Sequence, residues 1–183
     1  MKTLRTYEDF KAIVFHKKQV AISKEAKNLI EESYNFLKEF ANDKIIYGVN
    51  TGFGPMAQYR IEPEDQLQLQ YNLIRSHASG CGEVFDIKTV RAAILCRLNS
   101  LSLGKSGVNI EAIELMRDLL NYRITPLIFQ HGGVGASGDL VQLAHLALVL
   151  IGEGEVFYKG LRRPTAEVFA EVGIKPLQKP LPE

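Results

Sequence analysis

Three stretches of the chain return apolar side chains at spacings of three and four. Ala26, Leu29, Ile30, Tyr34, Leu37 and Phe40 form the first set, Ile87, Val90, Ile94, Leu98 and Leu101 the second, and Ile113, Met116 and Leu120 the third. A 3.6-residue period gathers each set on one helix face, and burying those faces forces helix-on-helix packing. Ser23 and Asn109 stand where N-caps are needed, and Pro63 suits the first position of a helix running to Arg75. In the SHASGCG that follows, two glycines close that helix. Leu143 to Ile151 reads as a further, buried helix, interrupted by His145 and far below the roughly 20 residues a membrane span needs. The expected fold is mainly α, with four helices ahead of a glycine-rich stretch and a fifth after it.

Between the helices the residues change type. Ile45-Ile46-Tyr47 reads as a short β piece, and GVNTGFGPM after it as a loop, since three glycines and a proline bar regular structure. EVFYKGLRRP predicts a small hairpin turning at Lys159-Gly160, followed by a short proline-initiated helix ending at Gly173. From Ile174 to Glu183 three prolines suggest a linker leading into something further, so residues 1–173 are expected to form the helical domain.

With 183 residues and 46% hydrophobic composition the chain has ample material for a core. Its 22 basic and 21 acidic residues are scattered, for a net charge of +1, which disfavours nucleic acid and anionic membrane as partners. Cys81 and Cys96 give neither a disulfide framework nor the spacing of a zinc site, and no metal is expected. No signal-peptide order is visible at the N-terminus, so a reducing cytoplasm is the expected compartment.

The stretch GGVGASGDLVQL, from Gly132 to Leu143, superficially fits a dinucleotide fingerprint. That reading fails on context. Gln130, His131 and Gly132 separate the apolar Leu127-Ile128-Phe129 from Gly133, four helices come before it, and Glu155 opens its strand instead of closing it. SLGKSG is a second decoy, because Asn99 stands where a phosphate loop needs glycine; it reads as a helix end and turn. Ala136-Ser137-Gly138 reads either as a glycine-rich lead-in to the helix that follows or as a reactant. Attack of the Gly138 nitrogen on the Ala136 carbonyl, with loss of two waters, closes an imidazolone ring and turns the serine Cβ into an electrophilic methylidene. Glycines at 132, 133 and 135 permit the tight backbone this needs. Asp139 begins a helix whose partly positive N-terminus would favour the charge that builds when a nucleophile adds.

GGVGASGDLVQLAHLALVLIGEGE, YGVNTGFGPMA and NLIRSHASGCGE together closely resemble the ammonia-lyases of the histidine, tyrosine and phenylalanine family. The resemblance runs from about Ile45 to the end of the chain. It implies a mostly helical, homotetrameric enzyme acting on an amino acid, of which this chain resembles the N-terminal third. It also implies that Ala136, Ser137 and Gly138 form the cofactor 4-methylidene-imidazole-5-one (MIO), and that Tyr47 removes a β-proton of the substrate. The chemistry fits those roles: ammonia is a poor leaving group and a β C–H is barely acidic, so the reaction needs an electrophile and a well-placed base. A tyrosine serves as such a base when its site lowers its pKa.

By the same resemblance His77 is the substrate-selectivity residue. Histidine there accompanies the polar side chains of histidine or tyrosine, whereas phenylalanine lyases tend to be apolar. Gly52, Phe53 and Gly54 shape and hinge the tyrosine loop, as a lid for product release requires. His145 reads as a hydrogen-bonded core histidine, and His16 and His131 carry no role. The expected activity is elimination of ammonia from L-histidine, giving urocanate, or from L-tyrosine, giving 4-coumarate. Alternatives are an aminomutase on the same scaffold and a noncatalytic helical module. The family's second tyrosine, carboxylate-binding arginine and cofactor-side asparagine have no counterpart in these residues.

Overall fold

The computed structural model describes residues 6–178. Among them are α1 (Tyr7–Val14), α2 (Lys24–Phe40), α3 (Pro63–His77), α4 (Ile87–Leu101), α5 (Ile110–Tyr122), α6 (Leu140–Leu150) and α7 (Thr165–Val172). Five short strands join them: β1 (Cys81–Val84), β2 (Thr125–Pro126), β3 (Phe129–His131), β4 (Glu155–Tyr158) and β5 (Leu161–Pro164). The mainly helical expectation holds.

The caps act as their side chains dictate. Ser23 accepts from the Ala26 N–H and Asn109 from the Glu111 N–H, each satisfying a donor that the first turn leaves free. The core lies where α4 meets α5, with Ile94, Leu95, Leu98, Ile113 and Leu119 almost fully enclosed. Each such side chain contributes about 1.5–3 kcal/mol when fully buried. Helix α3 packs on α6, and α1 on α4.

Arg91 sits inside this core at 4% exposure. Its guanidinium donates to the carbonyls of Leu120 at 3.0 Å and Ile13 at 3.1 Å, tying α1, α4 and the end of α5 together. Burial lowers its pKa from the ordinary arginine value, and the charge of Arg123 pushes the same way.

The hairpin forms as the residues direct. β4 and β5 pair antiparallel, Tyr158 opposite Leu161, around Lys159-Gly160, whose φ values of 50° and 80° are those of a type I′ turn. β2 adds to the far edge of β4 as a third strand. A separate pair, β1 with β3, joins Val84 to Phe129 and Cys81 to His131 across an irregular register.

Several expectations need correction. Ile45-Ile46-Tyr47 is not a strand: Asn50 captures the segment by accepting from the Ile46 N–H at 2.7 Å and donating to the Lys44 carbonyl at 2.7 Å, which folds it into a turn. The helix from Pro63 runs on to His77, and only Gly80 of the two SHASGCG glycines lies in the turn, since Gly82 belongs to β1. α1 is a fifth helix ahead of the glycine-rich stretch, capped by Thr6. Residues 174–178 of the expected linker lie against the body, with Leu177 buried and its N–H donating to the Leu150 carbonyl at 2.9 Å; the rest of that stretch lies outside the described residues.

Candidate active site

The tyrosine loop is held by its own bonds. The Ile61 N–H donates to the Asn50 carbonyl at 3.0 Å and the Gly52 N–H to the Tyr59 carbonyl at 3.1 Å, so the loop's two ends are laced together. Within it the Gly54 N–H donates to the Tyr47 hydroxyl oxygen at 3.2 Å, and the Phe53 ring meets the Tyr47 ring edge-on at 5.9 Å. The N–H thus faces the oxygen that carries the charge when a tyrosine gives up its proton. Tyr47 remains 63% exposed.

The glycine-rich loop is built between two anchors. β3 fixes its start and α6 its end, and between them Gly135–Ser137 make one 3₁₀ turn, closed by the Gly138 N–H on the Gly135 carbonyl at 3.3 Å. Gly138 has φ 67° and ψ −131°, a conformation that a β-carbon would oppose. Asp139 is the N-cap of α6 but makes no capping bond with its side chain, so the first N–H groups of that helix are not taken up by it.

The turn that follows His77 meets the start of the glycine-rich loop at Gly80. A β-carbon built on Gly132 would lie 3.1 Å from the Gly80 Cα, and one built on Gly80 would lie 2.8 Å from His145 Nε2 and 3.0 Å from the Phe129 Cβ. Two backbones and a buried imidazole share that space. The Gly80 N–H donates to His145 Nε2 at 3.0 Å, Phe129 packs its ring on the His145 ring, and burial lowers the His145 pKa. His145 is therefore the hydrogen-bonded core residue the sequence suggested, and it clamps the turn after α3 onto α6.

His77, at the end of α3, is half-buried. Its Nδ1 lies 2.9 Å from the Leu73 carbonyl, an acceptor only, so Nδ1 carries the proton and Nε2 offers a lone pair. No described residue occupies that lone pair. Ala136 and Val134 are exposed, so this part of the molecule is an open surface. Sequence reasoning missed Gly80 and His145 as the joint of the site, because a contact across 65 residues leaves no local pattern.

Residues 5–181 match the aromatic amino acid lyase family. The chain belongs to that family. It is 46% identical over 173 residues to the histidine ammonia-lyase of Geobacillus sp. (strain WCH70), covering 94% of this chain and 34% of that one. Among solved structures it superposes on ergothionase from Treponema denticola with TM-score 0.92 and 30% identity, covering 98% of this chain and 36% of that one. It likewise matches tyrosine aminomutase from Streptomyces globisporus with TM-score 0.88 and 35% identity, covering 96% of this chain and 33% of that one. The chain thus spans about a third of the length of the relatives it matches. Among the described residues no helix is long and apolar enough to cross a membrane, and Cys81 and Cys96 are free thiols.

Proposed function

We propose that the intact protein is a histidine ammonia-lyase, converting L-histidine to urocanate and ammonia, with Ala136, Ser137 and Gly138 as the source of MIO. The observation that carries this reading is the joint at Gly80, which brings the His77 turn against the loop that holds the cofactor tripeptide. The loop suits the group: its backbone is already in one tight turn, Gly138 adopts a positive φ, and a β-carbon at Gly135 or Gly138 would meet nothing within 4 Å, which leaves room for a ring. The matured group supplies an electrophile that engages the substrate. Residues of this chain supply part of what remains. Tyr47 takes the β-proton at its hydroxyl oxygen, with the Gly54 N–H as partner for the charge it acquires. His77 accepts a hydrogen bond at Nε2 from a donor on the substrate side chain, which an imidazole N–H provides. Gly52, Phe53 and Gly54 carry the tyrosine loop as a lid.

Higher identity to a histidine ammonia-lyase than to a tyrosine aminomutase favours elimination from histidine over the tyrosine and aminomutase readings. Residues 1–173 are the helical domain of this enzyme, which works as a cytoplasmic homotetramer. The test is mass and activity together. Active protein will be lighter than its sequence by two waters, and Ser137→Ala will abolish both the mass loss and urocanate formation. Full activity at the unmodified mass refutes the assignment.

A further inference from the structure

A cavity of about 520 Å³ opens between the turn after α1, the start of α4, the end of α5 and the hairpin, and none of its lining residues belongs to the proposed active site. Lys17, Arg91, Arg123 and Lys159 all line it, together with Tyr122 and Tyr158, and among the described residues no carboxylate does. The chain as a whole is nearly neutral, so four cations around one hollow are a local concentration.

The backbone beneath these cations is unusual. Lys17, Arg123 and Lys159 have φ of 57°, 61° and 50°, and among the described residues they are the non-glycine positions in the left-handed region. Glycine takes that conformation without strain, as in the C-cap that Arg123 occupies and the turn that Lys159 occupies. The chain instead carries a long cation at each, and all three meet at the same cavity. Strained positions that gather at one place mark function.

The charges there are only partly answered. Lys159 pairs with Glu171 at 2.7 Å, but Lys17 and Arg123 have no ion pair among the described residues. Arg91, 4% exposed, bonds to two carbonyls, has no partner for its Nε, and is repelled by Arg123. A buried cation without an anion is costly, and an anion between Arg91 and Arg123 relieves both the burial and the repulsion.

We propose that this cavity binds a small, multiply charged oxyanion of the phosphate class, held by Arg91, Arg123 and Lys17, at a site separate from the chemistry at Ala136–Gly138. Two unpaired cations and a half-satisfied guanidinium call for at least two negative charges, and arginine forks match phosphate oxygens in pairs.

The test is titration calorimetry of the intact protein with inorganic pyrophosphate at fixed ionic strength and without divalent metal. Saturable one-to-one binding is expected. The double variant Lys17→Gly, Arg123→Gly removes two cations where glycine suits the backbone, so its unfolding temperature should equal or exceed that of the parent. Its affinity should fall by at least about tenfold, since each charged hydrogen bond lost is worth that much. Unchanged affinity in the double variant overturns the proposal. So does absence of saturable binding at millimolar pyrophosphate, the result expected if an acidic segment of a second copy fills the cavity.

Discussion

The backbone N–H of Gly80 donates to Nε2 of His145 at 3.0 Å, and the space between them excludes even a methyl group. A β-carbon at Gly80 would stand 2.8 Å from that nitrogen and 3.1 Å from the His131 carbonyl, so at least one of α6, β3 or the turn must shift. We expect Gly80→Ala to cost about 1–3 kcal/mol, in the range of other overpacked sites. Denaturant unfolding of parent and variant measures it, and equal midpoints would show that the joint is slack.

His145 makes that joint sensitive to acid. Burial holds its pKa below the ordinary 6.5, and the lone pair that accepts from Gly80 is lost on protonation. The unfolded chain therefore takes up a proton that the folded chain resists. This contribution to stability is complete above pH 6.5 and declines as pH falls from there through the depressed folded value. His145→Gln, an acceptor that does not titrate, should flatten the decline. Urea midpoints measured across that window decide it: an equally steep fall in the variant removes His145 as the cause.

Tyr47 offers a cleaner separation of structure from chemistry. Its hydroxyl is exposed and holds one bond, to Gly54, so Tyr47→Phe should change stability by less than about 1 kcal/mol. Loss of a general base should lower kcat by roughly 10²- to 10⁴-fold with little change in KM. Steady-state kinetics beside a thermal melt tests both halves. A fall in kcat under tenfold would assign the base elsewhere.

If His77 faces the substrate as proposed, its acceptor nitrogen is expected to set a substrate preference. An unsubstituted phenyl ring leaves it unpaired, at a cost of roughly 1–3 kcal/mol, or about 5- to 150-fold in relative kcat/KM. Wild type should process histidine well ahead of phenylalanine, and His77→Leu should narrow or reverse the gap while the protein still loses its two waters. Urocanate, coumarate and cinnamate absorbance report the three substrates. An unchanged ranking in His77→Leu ends the selectivity role.

Where the chain carries a repeating face or a turn with demanding chemistry, its sequence announced the outcome. The period through Val90, Ile94 and Leu98 is the α4 core face, Ser23 and Asn109 cap their helices, and Lys159-Gly160 turns the hairpin. What stayed hidden depends on partners far along the chain. β1 and β3 are four and three residues long and pair Val84 with Phe129 and Cys81 with His131, far apart in sequence and too short for alternation to show. Ile45-Ile46 has β-forming residues but no strand beside it, and Asn50 claims its backbone first. Arg91 hides in an apolar helix because only the folded chain supplies the two carbonyls that make its burial tolerable. At the candidate site, sequence could nominate Tyr47, His77 and Ala136–Gly138 but not the joint at Gly80 that packs the turn after α3 against the loop.

The β1–β3 ladder also carries information about time. During synthesis α3, the His77 turn and β1 leave the ribosome before β3, and the tripeptide follows β3 by only a few residues. The loop is then tethered at its leading end to a template already made, while its trailing end waits for α6 to be completed and docked by His145. A nascent chain halted before Leu150 would carry the loop fixed at its leading end alone.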